Sequence, residues 1–393
     1  MSGKTVQEAF RAYVCQTSAA PLGLDVIRAE GAWVHTRDGR HYLDLLAGIG
    51  VNALGHAHPE VVAAVREQAG RYLHAMVYGE YALEPQARLA ERLAEVAPPG
   101  LTQVYFTNSG TEANEGALKL ARKATGRRRF LAFENSYHGD TCGSLSVTGR
   151  AVYRQPFEPL LPGVTFLPFD DAGALDAVDD TVAAVIVEPI QGEAGVRVPG
   201  GEFLPALRRR CDETGALLIF DEVQTGLGRT GRLWAGEHWG VTPDLMTLAK
   251  ALGGGMPLGA FLGRPELMAT LSCDPPLSHV TTFGGHPVCC AAGLAGLNVL
   301  LRERLSERAA QTGARFREGL RRIGGVEVRG LGMMIGWELE SAALTARFAQ
   351  EALAREVIVG WTLHSDRVLR LLPPLNLTDA ETDLALDRLA AAL

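Results

Sequence analysis

The spacing of apolar and polar residues changes period several times along the chain, and each change predicts an element. Two short alternating segments, Ala32-Trp33-Val34-His35-Thr36 and His41-Tyr42-Leu43-Asp44, flank Arg37-Asp38-Gly39-Arg40. Alternation on both sides of an Asp-Gly pair predicts a β-hairpin. Pro59 then opens a stretch with Val61, Val62, Ala64 and Val65 at helical spacing. Proline suits a helix start, where its missing N–H has no partner to lose.

From about residue 103 the texture becomes strand, turn, helix, repeated. Val104-Tyr105-Phe106 leads through Ser109-Gly110-Thr111 into a stretch with Ala113, Ala117, Leu120 and Ala121 on one helical face. Phe130–Phe133, Val182–Val187, Ala216–Phe220 and Leu245–Ala249 are continuous apolar runs. Strands apolar on both faces belong to a mainly parallel sheet covered by helices on each side. After about Gly285 come long helical stretches, Val288–Leu301 and Glu303–Arg322, then strand candidates at Val326–Val328 and Met333–Leu339. Thr378 with Glu381 three residues later predicts a capping box that opens a last helix. The fold class is therefore α/β. A large domain over residues 50–285 carries a mainly parallel central sheet flanked by helices, and a small α+β domain is assembled from both chain ends, residues 1–49 and 286–393.

Composition narrows the function classes. At 393 residues, 47% hydrophobic and 21% charged, the chain has the make-up of a globular enzyme with a sizeable core. A net charge of −7 offers no reason to expect nucleic acid or an anionic membrane as partner. No run approaches the ~20 apolar residues needed to span a bilayer, and Met1–Ala20 lacks the order of a secretory signal. Six cysteines without a CxxC pair read as thiols of a reducing compartment, so the expected location is the cytoplasm.

Ligands of an open parallel sheet sit beyond the carboxyl ends of its strands, and polar residues cluster at those ends. Ser109-Gly110-Thr111 stands between a strand and a helix, where free N–H groups and the helix dipole suit a phosphate; simple N-capping is the plainer alternative. Asp221 follows the run Ala216–Phe220. A carboxylate there needs a cationic or hydrogen-bonding partner, which a protonated pyridine nitrogen or a neighbouring N–H would supply. Lys250 follows Leu245–Ala249 and precedes Gly253-Gly254-Gly255. Burial lowers an amine's affinity for its proton and makes a nucleophile; a lysine reaching to the surface is the alternative. Tyr137 could stack on a flat ring. Gly48-Ile49-Gly50 lacks the context of a dinucleotide fingerprint, and His56 and His58 lack a third metal ligand at suitable spacing. No metal is expected.

Taken together, these residues resemble the class III pyridoxal-phosphate-dependent aminotransferases of fold type I, closest in look to the acetylornithine and ornithine types. The likeness is carried by Asn108–Glu115 (NSGTEANE), Glu188–Gly195 (EPIQGEAG), Phe220–Gly226 (FDEVQTG), Ala249–Gly255 (AKALGGG) and Thr282–Gly285 (TFGG). The resemblance implies that Lys250 holds pyridoxal 5′-phosphate as a Schiff base and shuttles the proton, with Asp221 on the pyridine nitrogen. It also implies that Val223 and Tyr137, the latter followed by His138, flank the ring, that Gln224 lies near the phenolic oxygen, and that Ser109, Gly110 and Thr111 bind phosphate. Thr282 resembles the threonine that reaches a neighbouring subunit's phosphate, which implies a homodimer with shared active sites. Arg370 matches an arginine that pairs with a substrate carboxylate, and Glu193 the glutamate that covers it when a terminal amine enters. The implied reaction is ping-pong transfer of an amino group from an acetylornithine- or ornithine-like amino acid or a diamine to 2-oxoglutarate. A 4-aminobutyrate or other omega-amino transaminase, and an amino-acid racemase or epimerase of the same family, are the alternatives. Two positions depart from the pattern. Asp140 stands where the acetylornithine and ornithine types usually carry arginine, and would attract an amino group; His286 stands where asparagine is usual.

Overall fold

The computed structural model describes residues 4–393. Strands β1 (Val26–Glu30), β2 (Trp33–Thr36) and β3 (His41–Asp44) come first. The central part supplies β4 (Gln103–Thr107), β5 (Arg129–Phe133), β6 (Val164–Leu167), β7 (Val182–Val187), β8 (Leu217–Asp221), β9 (Leu245–Leu248) and β10 (Gly259–Gly263). The last part supplies β11 (Glu327–Leu331), β12 (Met334–Glu338), β13 (Val357–Ile358), β14 (Gly360–Thr362) and β15 (Ser365–Leu371).

The central strands form one seven-stranded sheet in the order β4-β10-β9-β8-β7-β5-β6. It is parallel from β9 through β6, while β10 runs antiparallel to both β4 and β9. All six residues of β7 are buried, as a strand covered on both faces requires. Strand β10 escapes the sequence reading because Gly259-Ala-Phe-Leu-Gly263 is short and bounded by glycines. Those glycines are sterically required: a Cβ at Gly259 would stand 2.2 Å from the Ser109 carbonyl oxygen.

The expected hairpin is present, with Trp33 opposite Leu43 and His35 opposite His41. It is half of a four-stranded sheet in which β1 pairs with β2 and β13 runs parallel to β3. Sequence alone shows neither partner: β13 is two residues long, and β1 is largely exposed. A second four-stranded sheet, β11-β12-β15-β14, lies later in the chain. The expected helices occur at Pro59–Arg71, Gly110–Thr125, Pro287–Arg302 and Leu305–Ile323. The last starts two residues late, because Arg304 adopts a left-handed conformation, φ +53°. The capping box opens the Asp379–Ala390 helix as the Thr378–Glu381 spacing predicts. Among the described residues no helix is long and apolar enough to cross a membrane.

Candidate active site

The carboxyl ends of β4, β5, β7, β8 and β9 converge on a cavity of about 740 Å³. Its wall brings together Ser109, Gly110, Thr111, Tyr137, His138, Asp140, Asp221, Val223, Gln224 and Lys250, residues scattered over 142 positions of the chain (109 to 250, counted inclusively).

At one end stands the start of the Gly110–Thr125 helix. Ser109 is extended and its hydroxyl accepts from Glu112 N at 3.3 Å, an N-cap contributing ~1 kcal/mol. The cap leaves the first N–H groups of the helix without intrahelical acceptors, at its positive end. Glycine at 110 lets this start abut the wall, since a Cβ there would lie 2.8 Å from Val223 Cγ1. The Thr111 hydroxyl is 2.6 Å from that of Thr141, which donates to Glu115 Oε1 at 2.6 Å.

Asp221 closes β8 and is only 4% exposed. Its Oδ2 accepts from Asn114 Nδ2 and His138 Nδ1, both at 2.8 Å, and its Oδ1 from Val223 N at 3.0 Å. These donors offset the desolvation of a buried carboxylate. Asn114 is itself fixed, accepting from Thr247 Oγ1 at 2.7 Å and donating to the His138 carbonyl at 2.8 Å.

Lys250 lies just past β9, with Ala249 between strand and lysine. Its φ of +49° is unusual for a residue with a side chain and stores local strain. Burial holds its ammonium group below the ordinary lysine range, and the charge of Arg370 adds to the effect; Glu193, Asp221 and Glu188 oppose it.

Arg370 and Glu193 do not line the cavity wall but form a buried ion pair beside it, 3% and 4% exposed, through Arg370 Nη1 and Glu193 Oε1. Glu193 Oε2 also accepts from Leu363 N at 2.9 Å. Burial alone would raise the Glu193 carboxyl; Arg370 outweighs it, and the net shift is downward. Withdrawing one partner of such a pair while the other stays buried costs roughly 3–5 kcal/mol.

Tyr137 donates its hydroxyl to Asp140 Oδ2 at 2.7 Å, and burial together with this bond pushes the phenol up. Asp140 is exposed to the cavity and has no ion pair among the described residues. Gln224 Oε1 is buried without a partner among the described residues, in a niche where a Cβ at Gly192 would come within 2.3 Å of it. An orphaned polar atom on a cavity wall points to a ligand group.

Sequence reasoning assigned no role to Asn114 or Glu188. Glu188 follows the apolar run of β7 as Asp221 ends β8, so the same signal was available. It is buried, accepts from Tyr137 N and Gly192 N at 3.2 Å each, and is raised well above the usual carboxyl range by burial and by Asp221. Asn114 was concealed by its place on the buried helix face beside Ala113 and Ala117.

Thr282 is exposed and lies outside this cavity. His286 is also outside, stacked on His74 at a centroid distance of 5.6 Å. His56 pairs with Asp44 at 2.8 Å. His58, Glu60 and Glu303 bring ligand-type atoms within 4.8 Å of one another, but Arg302 already pairs with both carboxylates.

A family model described as aminotransferase class-III matches residues 14–393. An acetylornithine aminotransferase of Methanopyrus kandleri is 48% identical over 371 residues, covering 94% of each chain. A putrescine aminotransferase of Pectobacterium atrosepticum is 43% identical, covering 86% of this chain and 76% of the relative. The crystal structure of an ornithine aminotransferase from Toxoplasma gondii superposes with a TM-score of 0.92 at 36% identity, covering 98% of this chain and 92% of the other.

Proposed function

Because this chain belongs to the class-III aminotransferases, we propose that it moves the terminal amino group of an acetylornithine- or ornithine-like amino acid, or of a diamine, to 2-oxoglutarate. The mechanism is ping-pong, and the cofactor is pyridoxal 5′-phosphate. The observation that carries the reading is the convergence of Lys250, Asp221 and the Ser109–Thr111 helix start on one cavity. The residues fit the cofactor: the helix start faces a cavity end that a Cβ at Gly110 would crowd, Asp221 is buried with its donors in place, and Gln224 Oε1 lacks a partner among the described residues.

When bound, the cofactor supplies an electron sink for the pair left behind as a proton leaves the donor's carbon. Ser109, Gly110 and Thr111 bind its phosphate. Asp221 would keep the proton on the pyridine nitrogen, and His138 and Asn114 hold Asp221 in position. Tyr137 and Val223 would flank the ring, and Gln224 would serve the phenolic oxygen. Lys250, whose amine is neutral more readily than an exposed lysine's, holds the cofactor covalently. The Lys250 amine, when free, would take the proton from the donor carbon and would return a proton to the carbon that accepts it. Arg370 receives the α-carboxylate of the 2-oxo acid through its planar fork. Glu193 covers Arg370 while a terminal amine occupies the site and swings away when the 2-oxo acid enters, so that one cavity serves both half-reactions. On this reading Thr282 completes the phosphate site of a second copy, giving a cytoplasmic homodimer with shared active sites.

The test is glutamate formation from 2-oxoglutarate by the purified, cofactor-loaded protein. Ornithine, N-acetylornithine, putrescine and 4-aminobutyrate serve as separate donors; no glutamate from any of them would contradict the reading. Within that panel, Asp140 favours a donor with a second ammonium group, since its carboxylate lines the cavity with no ion pair among the described residues. Asp140→Asn should therefore lower the ratio of kcat/KM for putrescine to that for butylamine by roughly tenfold, the worth of about one charge-assisted hydrogen bond. An unchanged ratio would remove Asp140 from donor selection.

A further inference from the structure

If Glu193 is to release Arg370, its carboxylate needs somewhere to go, because an unpaired buried charge is strongly disfavoured. The turn between β14 and β15 connects Glu193 to one particular cation. Leu363 N donates to Glu193 Oε2 at 2.9 Å, while the carbonyl of the same residue accepts from Arg150 Nη1 at 2.8 Å and from the Tyr153 hydroxyl at 2.6 Å. His364 lies in the same turn. Its backbone N–H donates to the Glu193 carbonyl at 3.1 Å, and its ring feels both charges, Glu193 and Arg150. His364 Nδ1 faces the Asn135 carbonyl at 2.7 Å, and its Nε2 is buried with no partner among the described residues. Arg150 makes no ion pair among the described residues; its guanidinium is spent on a single carbonyl and on the Tyr153 ring, 5.6 Å away.

We propose that Arg150 receives the Glu193 carboxylate when a 2-oxo acid takes Arg370, so that Arg150 is a positioning residue for the acceptor half-reaction. The inference rests on the functional reading above, in particular on Glu193 moving. The movement exchanges one ion pair for two: the substrate carboxylate gains Arg370, and Glu193 gains Arg150, with the turn at Leu363 shifting as its N–H loses its acceptor. In the acceptor half-reaction each of the two cations is then matched by one carboxylate. Without Arg150 the donor half-reaction, in which Glu193 stays on Arg370, is untouched in principle, whereas the acceptor half-reaction leaves a carboxylate stranded.

The experiment measures both half-reactions of the cofactor-loaded enzyme in Arg150→Gln, a substitution that removes the charge while the Tyr153 hydroxyl remains as a donor to the Leu363 carbonyl. We expect the KM for 2-oxoglutarate to rise about tenfold, with the donor half-reaction changed less than twofold, and Arg150→Lys to restore most of the difference. In a Glu193→Gln background, where no carboxylate has to be received, the effect of Arg150→Gln should disappear. An unchanged KM for 2-oxoglutarate, or an equal rise in the Glu193→Gln background, would overturn the role of Arg150. If the parent enzyme transfers no amino group at all, the functional reading fails first, and the role of Arg150 falls with it; that outcome is recognised before any variant is made.

Discussion

Lys250→Ala lowers transamination by about 10⁴-fold, the upper part of the range for removing a proton-transfer group, and here the same residue is also the covalent anchor. The structure explains why no neighbour takes over. Glu188 lines the cavity, but its two oxygens are taken up by the N–H groups of Tyr137 and Gly192, and Glu193 is engaged with Arg370. Tyr137 is pushed further from ionisation by burial and by its bond to Asp140. The fold should survive, because the substitution removes a partly desolvated ammonium and leaves β9 intact. Two measurements check this: turnover with the best donor, and thermal unfolding of the cofactor-free protein, which should move little. Added methylamine should restore part of the activity by supplying an amine to the vacated space. Undiminished turnover in Lys250→Ala would show that the base lies elsewhere.

Asp221→Asn should lower kcat by roughly 10²–10³-fold, the scale found when one electrostatic partner of a reacting group is removed from a water-excluded site. The asparagine variant is the discriminating one. Asp221→Ala would strand the donors Asn114 Nδ2, His138 Nδ1 and Val223 N, and each buried group left unsatisfied costs about 1–3 kcal/mol, so lost activity could reflect lost structure. Asparagine keeps the volume and one acceptor, removes the charge, and so isolates the stabilisation of a proton on the ring nitrogen. The expected signature is a fall in kcat with the Tm of the cofactor-free protein reduced by only a few degrees. If kcat is unaffected, the ring nitrogen is not the partner of Asp221.

Much of this site was legible because its signal is local. Apolar runs that end in a single polar residue mark buried strands whose carboxyl ends are occupied, and Asp221 and Lys250 were found that way. Ser109-Gly110-Thr111 was legible as a helix start for the same reason. The partners of these residues were not. Asn114 reads as one more position on a helix face, and its bond to Asp221, 107 residues away, exists only through the sheet order β9-β8-β7. Arg370 and Glu193 are 177 residues apart; their pairing was legible through the family resemblance and not from any local pattern, and in the structure β15, held between β12 and β14, brings the arginine to the Glu193 loop. Among the strands, those with an apolar run unbroken by glycine or with clean alternation were visible; β10, framed by glycines, and β13, two residues long, are fixed by their neighbours rather than by their own pattern.

The most direct test of the central claim is the visible absorbance of the purified, cofactor-loaded protein, recorded before and after each donor and then after 2-oxoglutarate. The account predicts a band that is absent in Lys250→Ala, is bleached by a terminal amine donor, and returns when 2-oxoglutarate is added, with glutamate formed in proportion. A band that no donor bleaches, together with loss of optical activity from a single amino acid in the absence of any 2-oxo acid, would contradict it and identify a racemase instead.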